Sequence, residues 1–332
     1  IPRVLAGVAS VDMRTTLFGR EMAMPLFLSP TALQRLFHWQ GERAVLRAAA
    51  DAGAMAGISS LATISLAEAG ALTDGPKLFQ LYVHKDEGLN RAMLDAAHEA
   101  KFDAVALTVD TIVGGNRERC LRSGFTSPPR FTPGNMLSYA AKPGWGLNYV
   151  CREKFSLPNL ATHVSEGSSV PKSVADYFTS MLDQSLDWKR AAAIRQQWDG
   201  PFCLKGIVAV EDARRAVEIG ATAIMVSNHG GRQLDGSRAP FDALAEIVDA
   251  VGDRIEVICD GGITRGTHVL KALSVGAKAC SGGRLYLYAL AAAGEEGVAR
   301  AIALLRAEME RGMKLMGAKT LLDLGPHNLR WR

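Results

Sequence analysis

The stretch Thr222–Gly262, TAIMVSNHGGRQLDGSRAPFDALAEIVDAVGDRIEVICDGG, has a short apolar run at each end and a longer segment between them. The runs Thr222–Ser227 and Ile255–Asp260 are almost continuously apolar, which is typical of parallel strands that are buried on both faces. The segment between them, Phe241–Val251, has its apolar residues at helical spacing. The stretch therefore predicts a strand–helix–strand unit of a parallel sheet.

The same alternation recurs along the chain. Six further apolar runs have the character of buried strands: Pro25–Ser29, Ala54–Ser59, Lys77–Tyr82, Asp103–Asp110, Pro201–Lys205 and Ala277–Ser281. Segments with helical spacing follow most of them: Gly41–Ala52, Leu66–Leu72, Glu87–Ala100, Asp187–Trp198, Glu211–Ile219 and Thr267–Val275. Eight strand–helix units in about 250 residues predict an α/β protein with one (β/α)8 TIM-barrel domain. A doubly wound open sheet is the alternative, but no G-x-G-x-x-G follows the first strand.

The composition excludes several other classes of protein. The 332 residues are 48% hydrophobic and 22% charged, which is ordinary for a globular domain and excludes disorder. A net charge of +4, scattered along the chain, does not favour nucleic acid as a partner. The longest uncharged stretch, Ala52–Ala67, is too short and too rich in Ser, Thr and Gly to span a membrane. Cys203, Cys259 and Cys280 lie in apolar runs, so they are expected to be reduced core residues of a cytoplasmic protein. The chain begins at Ile1 without a signal peptide.

One interval breaks the rhythm of strands and helices. Residues 111–186, between the fourth strand and its helix, are predicted to form a long βα loop that is a lid, an interaction surface or a disordered insert. Its aromatic residues are Phe125, Phe131, Tyr139, Trp145, Tyr149 and Phe155. Beyond the eighth strand, Glu295–Met316 predicts a long amphipathic helix that packs on the barrel.

The predicted strands all end in small or reactive residues. Active sites of such barrels lie at the C-terminal ends of the strands. The endings are Ser29-Pro30-Thr31-Ala32, Ser59-Ser60, Gln80-Leu81-Tyr82, Thr108-Val109-Asp110, Lys205-Gly206, Ser227–Arg232, Asp260-Gly261-Gly262 and Gly282-Gly283-Arg284. The last two endings predict a phosphate site, because glycine lets backbone N–H groups approach an anion and Arg284 can bind its oxygens. Two tight turns are the alternative interpretation of these glycines.

The segment Ser227–Asp235, SNHGGRQLD, is the most informative for chemistry. Histidine at a strand end suits proton abstraction near neutral pH, and arginine suits bidentate binding of a carboxylate. We therefore expect His229 and Arg232 to face one small substrate, with Asp110 holding the imidazole. The other histidines are expected on surfaces or at helix ends, without a direct catalytic role: His38, His84, His98, His163, His268 and His327.

These segments together resemble the FMN-dependent L-2-hydroxy acid dehydrogenase and oxidase family, which includes glycolate oxidase, mandelate dehydrogenase and the flavin L-lactate dehydrogenases. The resemblance runs from Pro2 to about His327. It rests on Pro30–Ala32 (PTA), Phe79–Val83 (FQLYV), Leu107–Thr111 (LTVDT), Asn116–Arg119 (NRER), Leu204–Gly206 (LKG), Ser227–Gly236 (SNHGGRQLDG), Cys259–Gly262 (CDGG) and Gly282–Arg284 (GGR). The forms NRER, His84–Asp86 (HKD), Asp212–Ala216 (DARRA) and Gly283–Ala292 (GRLYLYALAA) are most similar to bacterial respiratory L-lactate dehydrogenases.

The resemblance implies a role for each matching residue. His229 would be the catalytic base paired with Asp110, and Tyr82 would contact the substrate oxygen. Arg117 and Arg232 would bind the substrate carboxylate, and Lys205 would place a cation beside the flavin ring. Asp260 would hold the ribityl chain, while Gly283 and Arg284 would hold the phosphate. The full set implied to bind FMN is Pro30, Thr31, Ala32, Ser59, Gln80, Thr108, Lys205, Ser227, Asp260, Gly261, Gly262, Arg265, Gly283 and Arg284, with no metal.

The implied activity is FMN-dependent oxidation of a small L-2-hydroxy acid, with L-lactate as the expected substrate. Electrons would pass to a quinone or a cytochrome. The alternatives are an oxidase of the glycolate or mandelate type that uses oxygen, a flavin-binding barrel without turnover, and a non-redox lyase or isomerase with a phosphate ligand. The resemblance also implies a homo-oligomer, a tetramer as in many relatives. The basic and aromatic segment Arg130–Arg152 suggests peripheral contact with the inner membrane, although loop aromatics also form small cores of their own.

Three departures from the family pattern affect these expectations. Relatives have an active-site tyrosine on a segment that precedes the position of Pro2, and that segment is not part of this sequence. Where the family usually has a phosphate-contacting arginine, this chain has Thr264, so the expectation is either that FMN is held more loosely or that the neighbouring Arg265 substitutes for that arginine. Where glycolate oxidases have a substrate-side tryptophan, this chain has Leu61, which would leave a smaller apolar wall that suits lactate.

Overall fold

Eight parallel strands close into a barrel in the computed structural model, which describes residues 1–122, 133–152, 156–161 and 180–330. Strands β1 (Thr15–Leu17) and β2 (Arg20–Met22) precede the barrel as an antiparallel hairpin. The barrel strands are β3 (Leu26–Thr31), β4 (Ala56–Ser59), β5 (Lys77–Tyr82), β6 (Ala104–Thr108), β7 (Phe202–Ile207), β8 (Ala223–Ser227), β9 (Glu256–Asp260) and β10 (Ala279–Gly282). They are neighbours in chain order, and β10 pairs with β3 to close the ring. The predicted TIM barrel is confirmed.

Helices follow the barrel strands on the outside. They are α1 (Glu42–Asp51), α2 (Leu66–Leu72), α3 (Glu87–Glu99), α4 (Glu118–Arg122), α5 (Pro133–Ala140), α6 (Pro143–Cys151), α7 (Pro158–Ala161), α8 (Trp188–Arg195), α9 (Val210–Glu218), α10 (Pro240–Val251), α11 (Gly266–Val275) and α12 (Arg284–Met316). The predicted helix Glu295–Met316 is the second part of α12. A first helical part begins at Arg284. The two parts meet at a kink, where Ala293 and Gly294 have non-helical backbone angles.

The inner face of the barrel changes character from its N-terminal to its C-terminal end. Alternate residues of a strand point to the same side, so each inward position is followed by another two residues later. At the N-terminal end the inward positions are apolar, including Phe27, Cys203 and Ile258, and they form one buried cluster. Two residues later in the same strands stand Ser29, Lys205 and Asp260, all of which are buried. The barrel therefore has an apolar lower layer and a polar upper layer.

The hairpin of β1 and β2 closes the apolar end. Leu17, Phe18 and Met22 are between 0% and 5% exposed and belong to the same cluster as the lower inward residues. The backbone N–H of Phe18 donates to the Glu256 carboxylate at 3.0 Å, which fixes the hairpin against β9. Sequence analysis missed this hairpin because strands of three residues are too short to show a period. Burying its three large side chains supports the fold and leaves the opposite end of the barrel for chemistry.

The described parts of the long interval after β6 contain helices α4 to α7, so these parts are helical and not an irregular loop. Trp145 lies between Tyr139 and Tyr149, with ring centroids 5.1 and 5.2 Å apart, and its indole N–H donates to Leu36 O at 2.9 Å. These aromatics therefore form a small core on the barrel body. Phe125, Arg130, Phe131, Phe155 and His163 lie outside the described residues. Within the ranges that the structure describes, no helix is long and apolar enough to cross a membrane.

Candidate active site

His229 stands two residues beyond β8, on a backbone turn that few side chains adopt. Its φ of 57° lies in the left-handed region, where non-glycine residues are uncommon. Three contacts hold the residue there: its N–H donates to Ser227 Oγ at 3.1 Å, and its Nδ1 lies 3.1 Å from Asp110 Oδ1 and 3.3 Å from Thr111 Oγ1. The turn thus presents the imidazole to the end of β6 across the barrel mouth, as predicted for His229 and Asp110.

The charges around His229 set its protonation state. Burial and the nearby Lys205 cation lower the pKa of His229, and together they outweigh Asp110, which raises it. Burial raises the pKa of Asp110, but the hydrogen bond from His229 and the Lys205 charge bring it below its usual value. At neutral pH the imidazole is therefore neutral and the carboxylate ionised. Since a carboxylate can only accept, the proton lies on Nδ1 and the lone pair on Nε2.

Tyr82 lies on the Nε2 side of the imidazole. Its hydroxyl is 3.4 Å from His229 Nε2, and the two rings are stacked with centroids 6.4 Å apart. Burial raises the pKa of Tyr82 to about 12, so the phenol is neutral at physiological pH. It can therefore donate its proton to an oxygen bound between the two side chains.

Arg117 and Arg232 bring positive charge to the same place. Burial lowers the pKa of Arg117, and the Arg232 charge lowers it further, so the two guanidinium groups are electrostatic neighbours. Both charges also act on the Tyr82 hydroxyl. The backbone at Gly115, two residues before Arg117, lies close to the backbone at Arg232. A Cβ on Gly115 would be only 2.1 Å from Arg232 O, so the close approach requires glycine. Two cations whose charges act on the tyrosine beside the neutral histidine make this a candidate site for a small anion.

Lys205 and Asp260 form a buried pair at the centre of the upper layer. Lys205 Nζ lies 3.2 Å from Asp260 Oδ2, and both side chains are less than 10% exposed. Burial lowers the pKa of Lys205, but the charges of Asp260 and Asp110 raise it by more, so the net shift is upward. Burial raises the pKa of Asp260, but Lys205 and three serine hydroxyls lower it to about 2. The pair is therefore fully ionised inside the barrel.

Three strands contribute a line of neutral polar groups beside this pair. Ser59 Oγ donates to Gln80 Oε1 at 2.7 Å, and Gln80 Nε2 donates to Thr108 Oγ1 at 2.7 Å. All three side chains are at most 2% exposed. The structure thus brings together three residues of the set that the resemblance implied to bind FMN.

The ends of β9 and β10 are rich in glycine. Gly261 and Gly262 have φ values of 129° and 70°, and a Cβ on Gly262 would meet nothing within 4 Å. Gly283 directly precedes α12, so N–H groups of a long helix begin beside it. Arg284 donates to Gly230 O at 2.9 Å across the mouth. Backbone N–H groups at a helix start, beside an arginine, form an anion site.

Arg265 is not brought to this place. Its guanidinium pairs with Glu308 of α12 at 3.1 Å and is 66% exposed. The neighbouring Thr264 contacts His268 through its backbone N–H at 3.3 Å. The predicted substitution of Arg265 for a phosphate-binding arginine would therefore require this ion pair to open.

Two further predictions are modified by the structure. His84, expected on a surface or at a helix end, is fully buried at 0% exposure, and its Nδ1 lies 3.2 Å from Asn90 Oδ1. Burial lowers the pKa of His84 to about 4. It therefore joins α3 to the barrel as a neutral core residue. Leu61 is 2% exposed and packs in the main core, so it does not lie on an open surface of the mouth.

Sequence analysis quoted three further residues that join the site but assigned no role to them. Ser29 and Ser281 donate to Asp260, and Gln233 donates to the backbone of the segment that follows β6. The only signal for the serines was their place on the inward face of strands β3 and β10. Gln233 was part of the quoted SNHGGRQLD segment, but its spacing carried no sign of its partner.

Comparisons with known proteins agree with this arrangement. A family model described as FMN-dependent dehydrogenase matches residues 1–331. The chain is 41% identical to an L-lactate oxidase of Nostoc sp. (97% of this chain, 84% of that protein) and 40% identical to an L-lactate dehydrogenase of Caulobacter sp. (96% and 84%). It is 39% identical to a glycolate oxidase of Spinacia oleracea (97% and 82%). Among solved structures, the monotopic membrane protein (S)-mandelate dehydrogenase superposes with a TM-score of 0.92 at 32% identity (99% and 87%).

Proposed function

Because this chain belongs to the FMN-dependent dehydrogenase family and its relatives oxidise 2-hydroxy acids, we propose that it converts L-lactate to the 2-oxo acid and passes the electrons to a quinone or a cytochrome. The coarser activity, FMN-dependent oxidation of a 2-hydroxy acid, is established by the family, as the resemblance implied. The proposal rests chiefly on one observation, the Tyr82 hydroxyl 3.4 Å from Nε2 of the neutral His229.

The donor set at the barrel mouth fits FMN. A planar ring with carbonyl and N–H groups is matched by the neutral line of Ser59, Gln80 and Thr108, with the Lys205 cation beside it. A phosphate is matched by Arg284 and by the backbone N–H groups at the start of α12. Gly283 has no side chain there, and a Cβ at this position would reduce the space beside Thr31 and Ser29. Pro30, Thr31, Ala32, Ser227, Gly261 and Gly262 complete the proposed contacts. When bound, FMN accepts the two electrons that leave the substrate.

His229 acts as the base in the proposed reaction. Oxidation of a 2-hydroxy acid removes two protons, one from the hydroxyl and one from C2, together with two electrons, and leaves a carbonyl. The lone pair of Nε2 takes a proton, and the resulting imidazolium is stabilised by Asp110, whose Oδ1 is 3.1 Å from Nδ1. The neutral Tyr82 hydroxyl donates to the substrate oxygen and orients it toward Nε2.

The cations orient the substrate and stabilise charge. Arg117 and Arg232 bind the carboxylate common to all 2-hydroxy acids, which places C2 beside His229. Lys205 supplies a fixed positive charge at the barrel centre. Because it is almost fully buried, its field is screened less than that of a surface lysine.

Lactate is proposed as the substrate because of the relatives. The two relatives with the highest identities given above both act on L-lactate by name, at 41% and 40% identity. One relative is named an oxidase and the other a dehydrogenase at nearly equal identity, so an oxygen-using oxidase is the second candidate.

We extend the proposal to peripheral contact with a membrane through helices α5 and α6. Neither helix contains a charged residue, and Met136, Leu137 and Leu147 are 58%, 78% and 63% exposed. Lys142 lies between the helices, where a cation suits anionic headgroups. Arg152 is engaged differently, because its guanidinium carbon lies 4.6 Å from the Trp39 ring. A homo-tetramer is proposed by resemblance, and light scattering of the purified protein measures it.

An anaerobic titration tests the activity. Flavin-loaded protein is mixed with L-lactate, glycolate and (S)-mandelate, and flavin absorbance is recorded. We expect L-lactate to bleach the flavin at the lowest concentration. Subsequent addition of oxygen or of a soluble quinone shows which acceptor restores the colour faster. Flavin that stays oxidised with all three acids would contradict the proposed function.

Vesicle flotation tests the membrane contact. The protein is expected to float with vesicles containing anionic lipid, and the double variant L137D/L147D is expected to stay in the soluble fraction. The matched control is L304D. Leu304 is an exposed leucine too, at 50%, but it lies on α12, so this variant should float like the parent. Equal flotation of all three proteins, or of none, would exclude α5 and α6 as the contact.

A further inference from the structure

The Asp260 carboxylate is saturated with hydrogen bonds. Its Oδ1 accepts from Ser29 Oγ at 2.8 Å and from Ser281 Oγ at 2.5 Å. Its Oδ2 accepts from Ser227 Oγ at 2.7 Å and faces Lys205 Nζ at 3.2 Å. An ionised carboxylate has about four lone-pair positions, and here four donors occupy them. A ligand hydroxyl would therefore have to displace one of these donors to bind Asp260 directly.

The three serines differ in the acceptor capacity that they retain. A hydroxyl that donates its only proton still has two lone pairs. Ser227 Oγ uses both, because it accepts from Lys205 Nζ at 3.4 Å and from the His229 N–H at 3.1 Å. In the part of the chain that the structure describes, Ser29 Oγ and Ser281 Oγ have only the bond to Asp260. Ser281 is 0% exposed and Ser29 is 5% exposed, so only Ser29 borders the open mouth.

The position of Ser29 is set from several sides. Its carbonyl accepts from the Tyr286 hydroxyl at 2.7 Å, which ties the end of β3 to α12. A Cβ on Gly283 would lie 3.8 Å from Ser29 Cβ, so Ser29 is next to the glycine of the proposed phosphate end. Through Asp260 it is also joined to Lys205, on the proposed ring side. Ser29 thus lies between the two ends of the proposed FMN site.

We propose that Ser29 Oγ accepts a hydrogen bond from a hydroxyl of the FMN ribityl chain, and that Asp260 acts from behind it by orienting the serine. The ribityl chain joins the flavin ring to the phosphate, so it must cross the space that Ser29 borders. Its hydroxyls can donate, and Ser29 Oγ is a rigidly held acceptor because its own proton is committed to Asp260. The inference rests on the proposed function only in that FMN occupies the barrel mouth. It moves the direct contact from Asp260, as implied by resemblance, to Ser29.

A series of three flavins tests this assignment in the apoprotein. Lumiflavin has the ring without the ribityl chain, riboflavin adds the chain, and FMN adds the phosphate. Dissociation constants are measured by quenching of flavin fluorescence, which requires no turnover. We expect Ser29→Ala to weaken riboflavin and FMN about tenfold, as for one lost hydrogen bond, and to change lumiflavin less than about twofold.

Ser281→Ala is the matched control, because it removes a donor from the same Oδ1 but lies out of reach of a ligand. It should keep the ratio of lumiflavin to riboflavin affinity within about twofold of the parent. Ser29→Thr, which retains the hydroxyl, should restore the ratio. In the parent protein, riboflavin analogues that lack single ribityl hydroxyls should include one that binds about tenfold more weakly, and this measurement needs no variant to fold.

The possible results are distinct. Equal weakening of all three flavins by Ser29→Ala would overturn the proposal, as would an unchanged riboflavin affinity or a deoxy series without a weak member. If the parent binds riboflavin no better than lumiflavin, the ribityl contact is also excluded. A protein that binds flavins with the expected pattern but is not reduced by any hydroxy acid would refute the proposed function and support the ribityl contact.

Discussion

Two buried carboxylates at the barrel mouth have opposite hydrogen-bonding environments. Asp260 receives four donors, from Ser29, Ser281, Ser227 and Lys205. Asp110 receives its donors on Oδ1 alone, and its Oδ2 is buried with no hydrogen-bond partner among the described residues. A saturated carboxylate holds a fixed charge and its neighbours in place. Asp110 retains an unused acceptor oxygen beside the neutral His229, so it can stabilise the imidazolium that forms when His229 gains a proton. Asp260 is therefore a structural centre and Asp110 belongs to the reactive one.

The largest expected effect comes from the reactive carboxylate. Asp110→Asn removes the charge that stabilises the His229 imidazolium, so kcat should fall on the order of 10²–10⁴-fold. FMN affinity should change little. The matched control is Asp103→Asn at the other end of β6, where the carboxylate accepts from the Lys77 N–H at 2.7 Å. Steady-state rates in which both variants lose activity equally would show that Asp110 has no special role.

The saturated carboxylate should instead control stability. Asp260→Asn leaves Lys205 as a buried charge without its counter-ion, so the free energy of unfolding of the apoprotein should fall by about 3–5 kcal/mol. Urea denaturation followed by circular dichroism measures this. The double variant Lys205→Met/Asp260→Leu removes both charges and should be more stable than Asp260→Asn. If the single variant loses less than about 1 kcal/mol, the network is not a structural centre.

Gln233 connects the two segments that bear the reactive groups, so its removal should have a smaller effect. Its Nε2 donates to Asp110 O at 3.2 Å and to Val113 O at 3.0 Å. Gln233→Leu should raise KM and lower kcat/KM about tenfold, because the segment that carries Arg232 is then no longer tied to the segment that leads from β6 to Arg117. Gln197→Leu, at an exposed position after α8, is the control and should behave like the parent. An unchanged KM for Gln233→Leu would mean that the segments are held by other contacts.

The smallest expected effect concerns pH dependence. In the unmodified protein, activity should depend on the protonation of His229, which pairs with Asp110, and stability on the protonation of Asp260. The pKa of His229 is lowered from its ordinary value of 6.5, and the base must be unprotonated, so kcat/KM should fall with a midpoint below pH 6.5. The pKa of Asp260 is lowered to about 2 from 3.8, so its contribution to stability is complete above pH 3.8 and is lost as the pH falls toward 2. The protein should therefore lose activity in acid while it is still folded, as circular dichroism recorded beside rates will show. Coincident loss of activity and structure would contradict this separation.

Much of the architecture could be predicted from the sequence, because a parallel barrel leaves local traces. Continuous apolar runs between helical segments predicted all eight barrel strands and the rim at which they end. The SNHGGRQLD segment and the TVDT segment identified His229 and Asp110 as partners, and the structure places Nδ1 and Oδ1 3.1 Å apart. Cys203, Cys259 and Cys280 are buried, as their apolar runs indicated.

Other features depended on contacts that no local pattern records. His84 was misplaced because its burial comes from the segment that returns to β5 near Leu182, far along the chain. The Arg265 ion pair depends on Glu308 of α12, which only the packing of α11 against α12 brings near. The hairpin β1–β2 is too short to show a period and is stabilised only by the barrel end that it covers.

The sequence by itself determined the barrel, its polar rim and the residue types available for chemistry, because the burial of a strand and the residues at its end can be recognised from a few consecutive residues. Only the tertiary structure decided which polar groups hydrogen-bond to the same atom. Register places Ser227 and Ser281 directly beside Asp260 on neighbouring strands, and closure of the ring brings β3 with Ser29 against β10. Ser29 and Asp260 are 231 positions apart in the chain, so their hydrogen bond exists only because the sheet closes on itself.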